Sequence, residues 1–351
     1  MSGREAVSGG EAVSGREAVI AAPAVHPGGA PASTTDQART TDPRTPDLRS
    51  PAPRTPDLRA WAELLRLPAL FTVPGDALAG AAAATARPDR RTVLAIASSL
   101  CLYEAGMALN DWADREEDAA ERPHRPLPSG RVRPAAALGA ACALTAAGLA
   151  LAARAGRPAL TVAAPLAATV WSYDLLLKRT PAGPFAMAAA RGLDLLLGAA
   201  ATGGRIRPAL PSAALLSTHT LAVTTVSQHE TRDSTPAAPL AALATTGALA
   251  WLLHHRPPRD RSPLRRRPPG LTAAATTALT AAYAATVARP YVHAVLNPSP
   301  PLTQRAVGAG IRATIPLQCA LAARSGAVTT ALFTAALAPV AQRFARRVSV
   351  T

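Results

Sequence analysis

From Trp61 onward, apolar residues run in stretches of about twenty, separated by short breaks rich in Pro and Arg. A helix rises about 1.5 Å per residue, so a stretch of that length crosses a hydrocarbon core of about 30 Å. Nine spans follow, at about 62–86, 92–112, 134–153, 158–178, 185–204, 209–228, 236–254, 271–294 and 326–345. The piece from 302 to 323 is apolar enough for a helix but carries Arg305 and Arg312, so it reads as a tenth segment, an interfacial helix or part of the ninth. Gly and Ala are abundant, which lets membrane helices approach closely, and Trp61, Trp112 and Trp251 lie near predicted span ends, where amphipathic rings favour the interface. The expected fold is therefore all-α, a polytopic membrane helix bundle of about nine transmembrane helices. A soluble bundle of Ala-rich helices is the competing fold, and it has to cover far more continuous apolar sequence.

Residues 1–58 follow a different pattern. They are polar and repetitive: Ser2–Val7 is echoed at 8–13 and 14–19, and Arg44–Arg49 recurs at 54–59. Such a segment buries too little apolar surface to offset its ordering entropy, so a disordered low-complexity tail is expected ahead of a membrane domain at 59–351. It also lacks the apolar stretch of a signal peptide. The formal charge of +15 invites a nucleic-acid reading, but aromatic residues make up only 3% and do not interleave with basic ones as base stacking requires, so no nucleic acid is expected as a partner. Lys178 is the only lysine, which makes the basicity largely a preference for arginine. Cys101, Cys142 and Cys319 lie in apolar stretches without metal-ligand spacing and read as reduced, buried and inert.

Chemistry concentrates at the end of the second span, in Asn110-Asp111-Trp112-Ala113-Asp114-Arg115-Glu116-Glu117-Asp118. Asp111, Asp114 and Asp118 are three and then four residues apart, the steps that stack side chains on adjacent helical turns, and Asn110 joins Asp114 at a further step of four. Taken alone, such a cluster also suits a solvated face or a helix cap. Oxygen ligands in a row suit Mg2+, which typically binds through one or two carboxylates plus substrate phosphates; the motif therefore points to a phosphorylated ligand. Glu104 lies seven residues before Asp111, on the same face and two turns deeper. It reads either as a cavity wall that orients an acceptor or takes its proton, or as the partner of a neighbouring helix's arginine.

The motif resembles the first aspartate motif of the UbiA family of intramembrane prenyltransferases, Asn-Asp-x-x-Asp-x-x-x-Asp, and matches it at all four positions. Arg122–Gly130 is similar to the Arg-Pro-Leu-Pro-Ser-Gly stretch with which that family enters its third helix, and Tyr173–Thr180 resembles its Tyr and Lys-Arg positions after the fourth. The resemblance is strongest between 104 and 198 and looks closest to UbiA-like proteins of bacterial biosynthetic clusters, with an intact first and altered second motif. It implies Mg2+-dependent transfer of an isoprenoid group from a prenyl diphosphate to a small or lipophilic acceptor, within the lipid of the cell membrane and with the site on the cytosolic side. Loop charges alone give near equality between the two sides, because six arginines crowd the segment from Arg256 to Arg267.

The resemblance also suggests roles. Asn110, Asp111, Asp114 and Asp118 would hold metal, with Asp111, Asp114 and Glu104 serving the reaction. Lys178 and Arg179 would hold diphosphate, supported by Arg66, Arg125 and Arg191; an ordinary basic flank at the headgroups is the competing reading for Lys178 and Arg179. Arg191 and Asp194 are three apart and could simply neutralise each other. The second aspartate motif departs from the family: Ser227–Asp233 offers Glu230 and Asp233, three apart, as further metal ligands, with Glu230 assisting the reaction, but Arg232 could pair with either. A non-catalytic or transport-like protein that binds an isoprenoid lipid is the alternative that this weakened motif leaves open, and a soluble terpene-synthase-like bundle is a third.

Overall fold

A computed structural model describes residues 57–66, 72–84, 87–228, 235–255 and 269–348. Every regular element among them is helical: α1 (Leu58–Leu64), α2 (Val73–Ala83), α3 (Arg90–Ala113), α4 (Arg115–Glu121), α5 (Pro134–Ala155), α6 (Arg157–Ser172), α7 (Gly183–Gly203), α8 (Leu210–Ser227), α9 (Ala237–His255), α10 (Pro269–Leu296), α11 (Pro300–Arg324) and α12 (Val328–Val348). A π-helical turn, Tyr173–Leu177, prolongs α6. Eight of these helices, α3 and α5 to α11, are long and apolar enough to cross a membrane. The tail expected at 1–58 lies outside the described residues up to Pro56, and the second acidic motif at Glu230 and Asp233 lies outside them as well.

The prolines explain many of the boundaries. Pro has no N–H to lose in a first helical turn, and it stands there in α2, α5, α6, α7, α8 and α11. At α3 the start is instead a capping box, with the Asp89 carboxylate accepting from the Arg91 and Thr92 N–H groups at 2.8 and 3.0 Å and the Thr92 hydroxyl accepting from the Asp89 N–H at 2.9 Å.

One of the predicted spans needs correction, and the piece left open at 302–323 is decided. The first, drawn through 62–86, is two helices: α1 ends at Leu64, and Arg66 takes a left-handed backbone with φ 47° before α2 begins at Val73. The awkward piece at 302–323 is a full membrane-length helix, α11, and the most enclosed of the eight candidates. Arg305 and Arg312 are seven residues apart, so they share one exposed stripe and leave the rest of α11 free to bury. Among the cysteines, Cys319 is buried, Cys101 is half-buried and Cys142 is exposed, so burial holds for one of the three.

Small residues set the packing. Without a hydrophobic drive between helices in lipid, close backbone approach and polar contacts carry association. A Cβ on Gly198 of α7 would collide with the Ala77 backbone of α2, and one on Gly80 of α2 with the Leu195 carbonyl of α7. Gly198→Ala is accordingly expected to push the two helices apart and destabilise the protein by about 1–3 kcal/mol. That appears as a lower unfolding midpoint in detergent; an unchanged midpoint would show that the two backbones do not touch. Large side chains such as Phe185, Trp251, Leu332 and Phe333 are exposed, as lipid-facing positions should be.

Candidate active site

The acidic motif straddles a helix junction. α3 ends at Ala113, Asp114 is both its C-cap and the N-cap of α4, and the backbone bonds Asp114 N–H to Asn110 C=O (3.0 Å) and Asp118 N–H to Asp114 C=O (2.8 Å) carry the helical path through. The four side chains divide into two stripes. At about 100° per residue, Asp111 and Asp118 nearly coincide, Asn110 and Asp114 lie about 40° apart, and Asp114 stands about 60° round from Asp111.

Each stripe meets its own cations. Asp111 is buried and its Oδ1 lies 3.1 Å from Arg66 Nη2 and 3.8 Å from Arg125 Nη1. Asp118, also buried, receives Arg125 Nη1 at 2.7 Å and Arg122 Nη1 at 3.5 Å. On the other stripe Asp114 takes Lys178 Nζ at 2.6 Å and Arg179 Nη2 at 3.0 Å, and Arg179 also pairs with Glu117. Its hydrogen bond to Asp114, and the nearby Glu117 charge, hold the Arg179 guanidinium above its ordinary range.

Local folding delivers these cations. The stretch after α4 turns back on itself: the Ser129 hydroxyl donates to the Arg125 carbonyl at 2.6 Å, Gly130 takes φ 71°, and Leu127 and Val132 are buried against Ala108 and Leu109. Arg131 ties that turn to α1, donating to Glu63 at 2.8 Å and to the His124 carbonyl at 2.8 Å. The result is a buckle that carries Arg125 over Asp118. Arg66 reaches Asp111 from a strained backbone, the sole positive-φ non-glycine among the described residues, and strain of this kind clusters at functional positions. Lys178 follows the π turn, its N–H donating to the Tyr173 carbonyl at 2.9 Å; such turns too are frequent at functional sites.

Asp174 was not among the expected site residues. It is buried on the π turn and accepts a hydrogen bond from Asn110 Nδ2 at 3.0 Å, so Asn110 points at a carboxylate of another helix. An acid inside a charge-poor span was the available signal. A cleft of 330 Å³ opens here, with Trp112, Asp174, Lys178 and Arg179 on its walls.

Deeper between the helices lies a second polar group. Arg191 was expected beside Asp194, but its Nη1 is 3.1 Å from Oδ2 of Asp76 on α2, and its Nη2 donates to the Thr72 carbonyl at 3.4 Å. A step of three along one helix leaves Arg191 and Asp194 about 60° apart, and the long guanidinium side chain reaches across to α2 instead. Asp194 accepts from the Ser99 hydroxyl, and its carboxyl lies near that of Asp76. Gln318 of α11 donates to Asp76 Oδ1 and to the Thr72 carbonyl, both at 2.7 Å. Glu104 has no arginine partner among the described residues: it is buried and neither carboxylate oxygen accepts a hydrogen bond there. Sequence reasoning missed Asp76, an acid in the middle of the first span, and Gln318, which carries no charge to draw attention.

Among the described residues no three acidic, histidine or cysteine side chains come close enough to form a protein-only metal cage. The donor chemistry does fit one Mg2+ held by one or two carboxylates and completed by phosphate oxygens, since hard oxygen donors stand beside cations suited to the phosphates themselves.

The UbiA prenyltransferase family model matches residues 70–296. Digeranylgeranylglyceryl phosphate synthase from Methanopyrus kandleri is 37% identical over 157 residues, which cover 43% of this chain and 56% of that protein. The enzyme of the same name from Methanothrix thermoacetophila is 38% identical over 107 residues, 30% of this chain and 40% of that protein. The chain thus spans about half the length of the curated relatives it matches. Two solved structures share the fold: an apo UbiA homologue from Aeropyrum pernix (TM-score 0.55, 21% identity, 69% of this chain and 94% of that one), and a UbiA homologue from Archaeoglobus fulgidus bound to DMAPP and Mg2+ (TM-score 0.54, 18% identity, 77% and 99%).

Proposed function

The chain belongs to the UbiA prenyltransferase family, and from that premise we propose that it is a multi-pass membrane enzyme that transfers an isoprenoid group from a prenyl diphosphate to an acceptor, in a Mg2+-dependent step at the cytosolic face. The single observation that carries this reading is the interleaving of charge. Asp111, Asp114 and Asp118 each lie within 3.1 Å of a lysine or arginine brought in from another part of the chain. A metal–diphosphate pair needs that alternation: carboxylates for the cation, guanidinium and ammonium groups for the anion.

In this reading Asp111 and Asp114, assisted by Asp118 and Asn110, hold Mg2+. Lys178, Arg179, Arg66 and Arg125 hold the diphosphate. Bound Mg2+ would supply charge neutralisation at the leaving oxygens. The chain's own cations then stabilise the departing diphosphate, whose loss leaves an allylic cation for the acceptor to attack. Asp174 keeps Asn110 oriented. The buried Glu104 is suited to face the acceptor or take its proton, and Glu230 and Asp233 are suited to assist the metal from the second motif. The Archaeoglobus protein's bound DMAPP and Mg2+ support the donor class. No part of this chemistry is assigned to residues 1–58.

Detergent-purified protein given Mg2+ and prenyl diphosphates of ten to twenty carbons is expected to release diphosphate with at least one donor, and chelation of the metal should stop it. Mg2+-dependent donor binding without release, even when candidate acceptors are added, would favour a lipid-binding role without turnover.

A further inference from the structure

We propose that the buried polar group of Asp76, Asp194, Arg191 and Gln318, with Glu104 above it, is the subsite for the acceptor's head, and that this head is uncharged and donates hydrogen bonds through hydroxyl groups. The proposal rests on the prenyl-transfer reading, which it deepens by naming the acceptor class.

Position comes first. Glu104 lies seven residues below Asp111 on α3, about 10 Å along the axis, and Ser99, which touches Asp194, lies about 18 Å below. The polar group therefore begins about two helical turns below the acidic motif and reaches about three. Ionisable groups so far inside a membrane bundle are expensive to keep, and they usually mark a substrate path.

The balance of donors and acceptors then selects the ligand. Arg191 is engaged by Asp76 and the Thr72 carbonyl, and both hydrogen bonds given by the Gln318 amide go to those same two groups. Ser99 donates to Asp194. What remains is acceptors: Glu104 Oε1 and Oε2 and Gln318 Oε1 are buried and accept no hydrogen bond from any described residue, and Asp76 Oδ2 has the arginine's charge beside it but no hydrogen bond. Gln318 and Asp76 are fully buried and Glu104 is 8% exposed. An unfilled buried acceptor costs about 1–3 kcal/mol, so these oxygens favour a ligand that brings O–H groups to them. Arg191, the cation of this group, is already engaged by Asp76 and the Thr72 carbonyl, so no free positive charge awaits a carboxylate or phosphate on the acceptor, and the neighbouring carboxyl groups disfavour one.

The experiment compares 1-O-benzylglycerol with its 3-phosphate as binding probes for the full chain in detergent, by calorimetry, alongside Mg2+-dependent binding of geranyl diphosphate. Wild type is expected to bind the neutral probe at least tenfold more tightly than the phosphate. Gln318→Leu should weaken the neutral probe at least fivefold while leaving geranyl diphosphate binding within twofold. Asp194→Asn keeps the hydrogen-bonding shape, guarding against simple misfolding, and should narrow the preference over the phosphate at least threefold. Equal or tighter binding of the phosphate, failure of both probes to bind, or indifference to both substitutions overturns the proposal while geranyl diphosphate still binds. Loss of geranyl diphosphate binding by wild type would overturn the donor reading, and this proposal with it.

Discussion

Alanine in place of Asp111 is expected to lower Mg2+-dependent diphosphate release by about a hundred- to a thousandfold, the usual consequence of removing one fixed group that stabilises transition-state charge. Asp111 is 5% exposed and engages both Arg66 and Arg125. Its loss removes a metal ligand and also leaves two guanidinium groups without their shared carboxylate. Asp111→Asn separates these effects. The amide still accepts a hydrogen bond from Arg66, but it binds a hard cation far more weakly than a carboxylate does. If holding metal is the role, the Asn variant should resemble the Ala variant at low Mg2+ and recover in part as Mg2+ is raised. Recovery by Asn at all Mg2+ concentrations would reduce Asp111 to a positioning residue for Arg66. Alanine at Asp36 and Asp47, in the N-terminal segment, should leave release unchanged, and parity between the two sets of variants would sink the site assignment.

The acidic motif was legible because its residues follow one continuous helical path through the α3–α4 junction, where spacing alone fixes direction. Lys178 was legible as a lone ammonium in an arginine-rich chain. What spacing could not give was the counter-charge. Arg66 reaches Asp111 only because the chain turns through a left-handed residue between α1 and α2, and although Pro68 hints at a break in the run of 62–86, it does not give the hand of that turn or its partner. The step from Asn110 to Asp114 gave the stripe that Asn110 shares, but not that its amide Nδ2 meets Asp174 across the helix interface. The place of α11 was left open between a tenth span, an interfacial helix and part of the ninth for a related reason: Arg305 and Arg312 count against burial, although their seven-residue spacing confines both to one stripe. Local periodicity shows which residues share a face. It does not show which helix that face will meet.

Arg191 shows the same limit in a form that can be measured. Removing the guanidinium by Arg191→Met is expected to destabilise the protein by about 3–5 kcal/mol, the range for breaking a buried ion pair from one side. Asp76 is fully buried, its Oδ2 is 3.1 Å from Arg191, and the Asp194 carboxyl lies near it, so the variant leaves two buried acids with no cation in contact. The identity of the true partner decides which second change restores stability. Asp76→Asn removes the charge that Arg191 contacts and keeps an oxygen for the Gln318 amide, so Asp76→Asn with Arg191→Met should recover most of the loss. If the intrahelical partner Asp194 were the principal counter-ion, Asp194→Asn would be the better rescue. A double-mutant cycle on detergent-solubilised protein, with unfolding followed by circular dichroism, gives both coupling energies, and contact at 3.1 Å predicts the larger one for Arg191 with Asp76. A loss below about 1 kcal/mol for Arg191→Met would instead put the pair in the range of solvent-exposed ion pairs and remove it from the interior of the bundle.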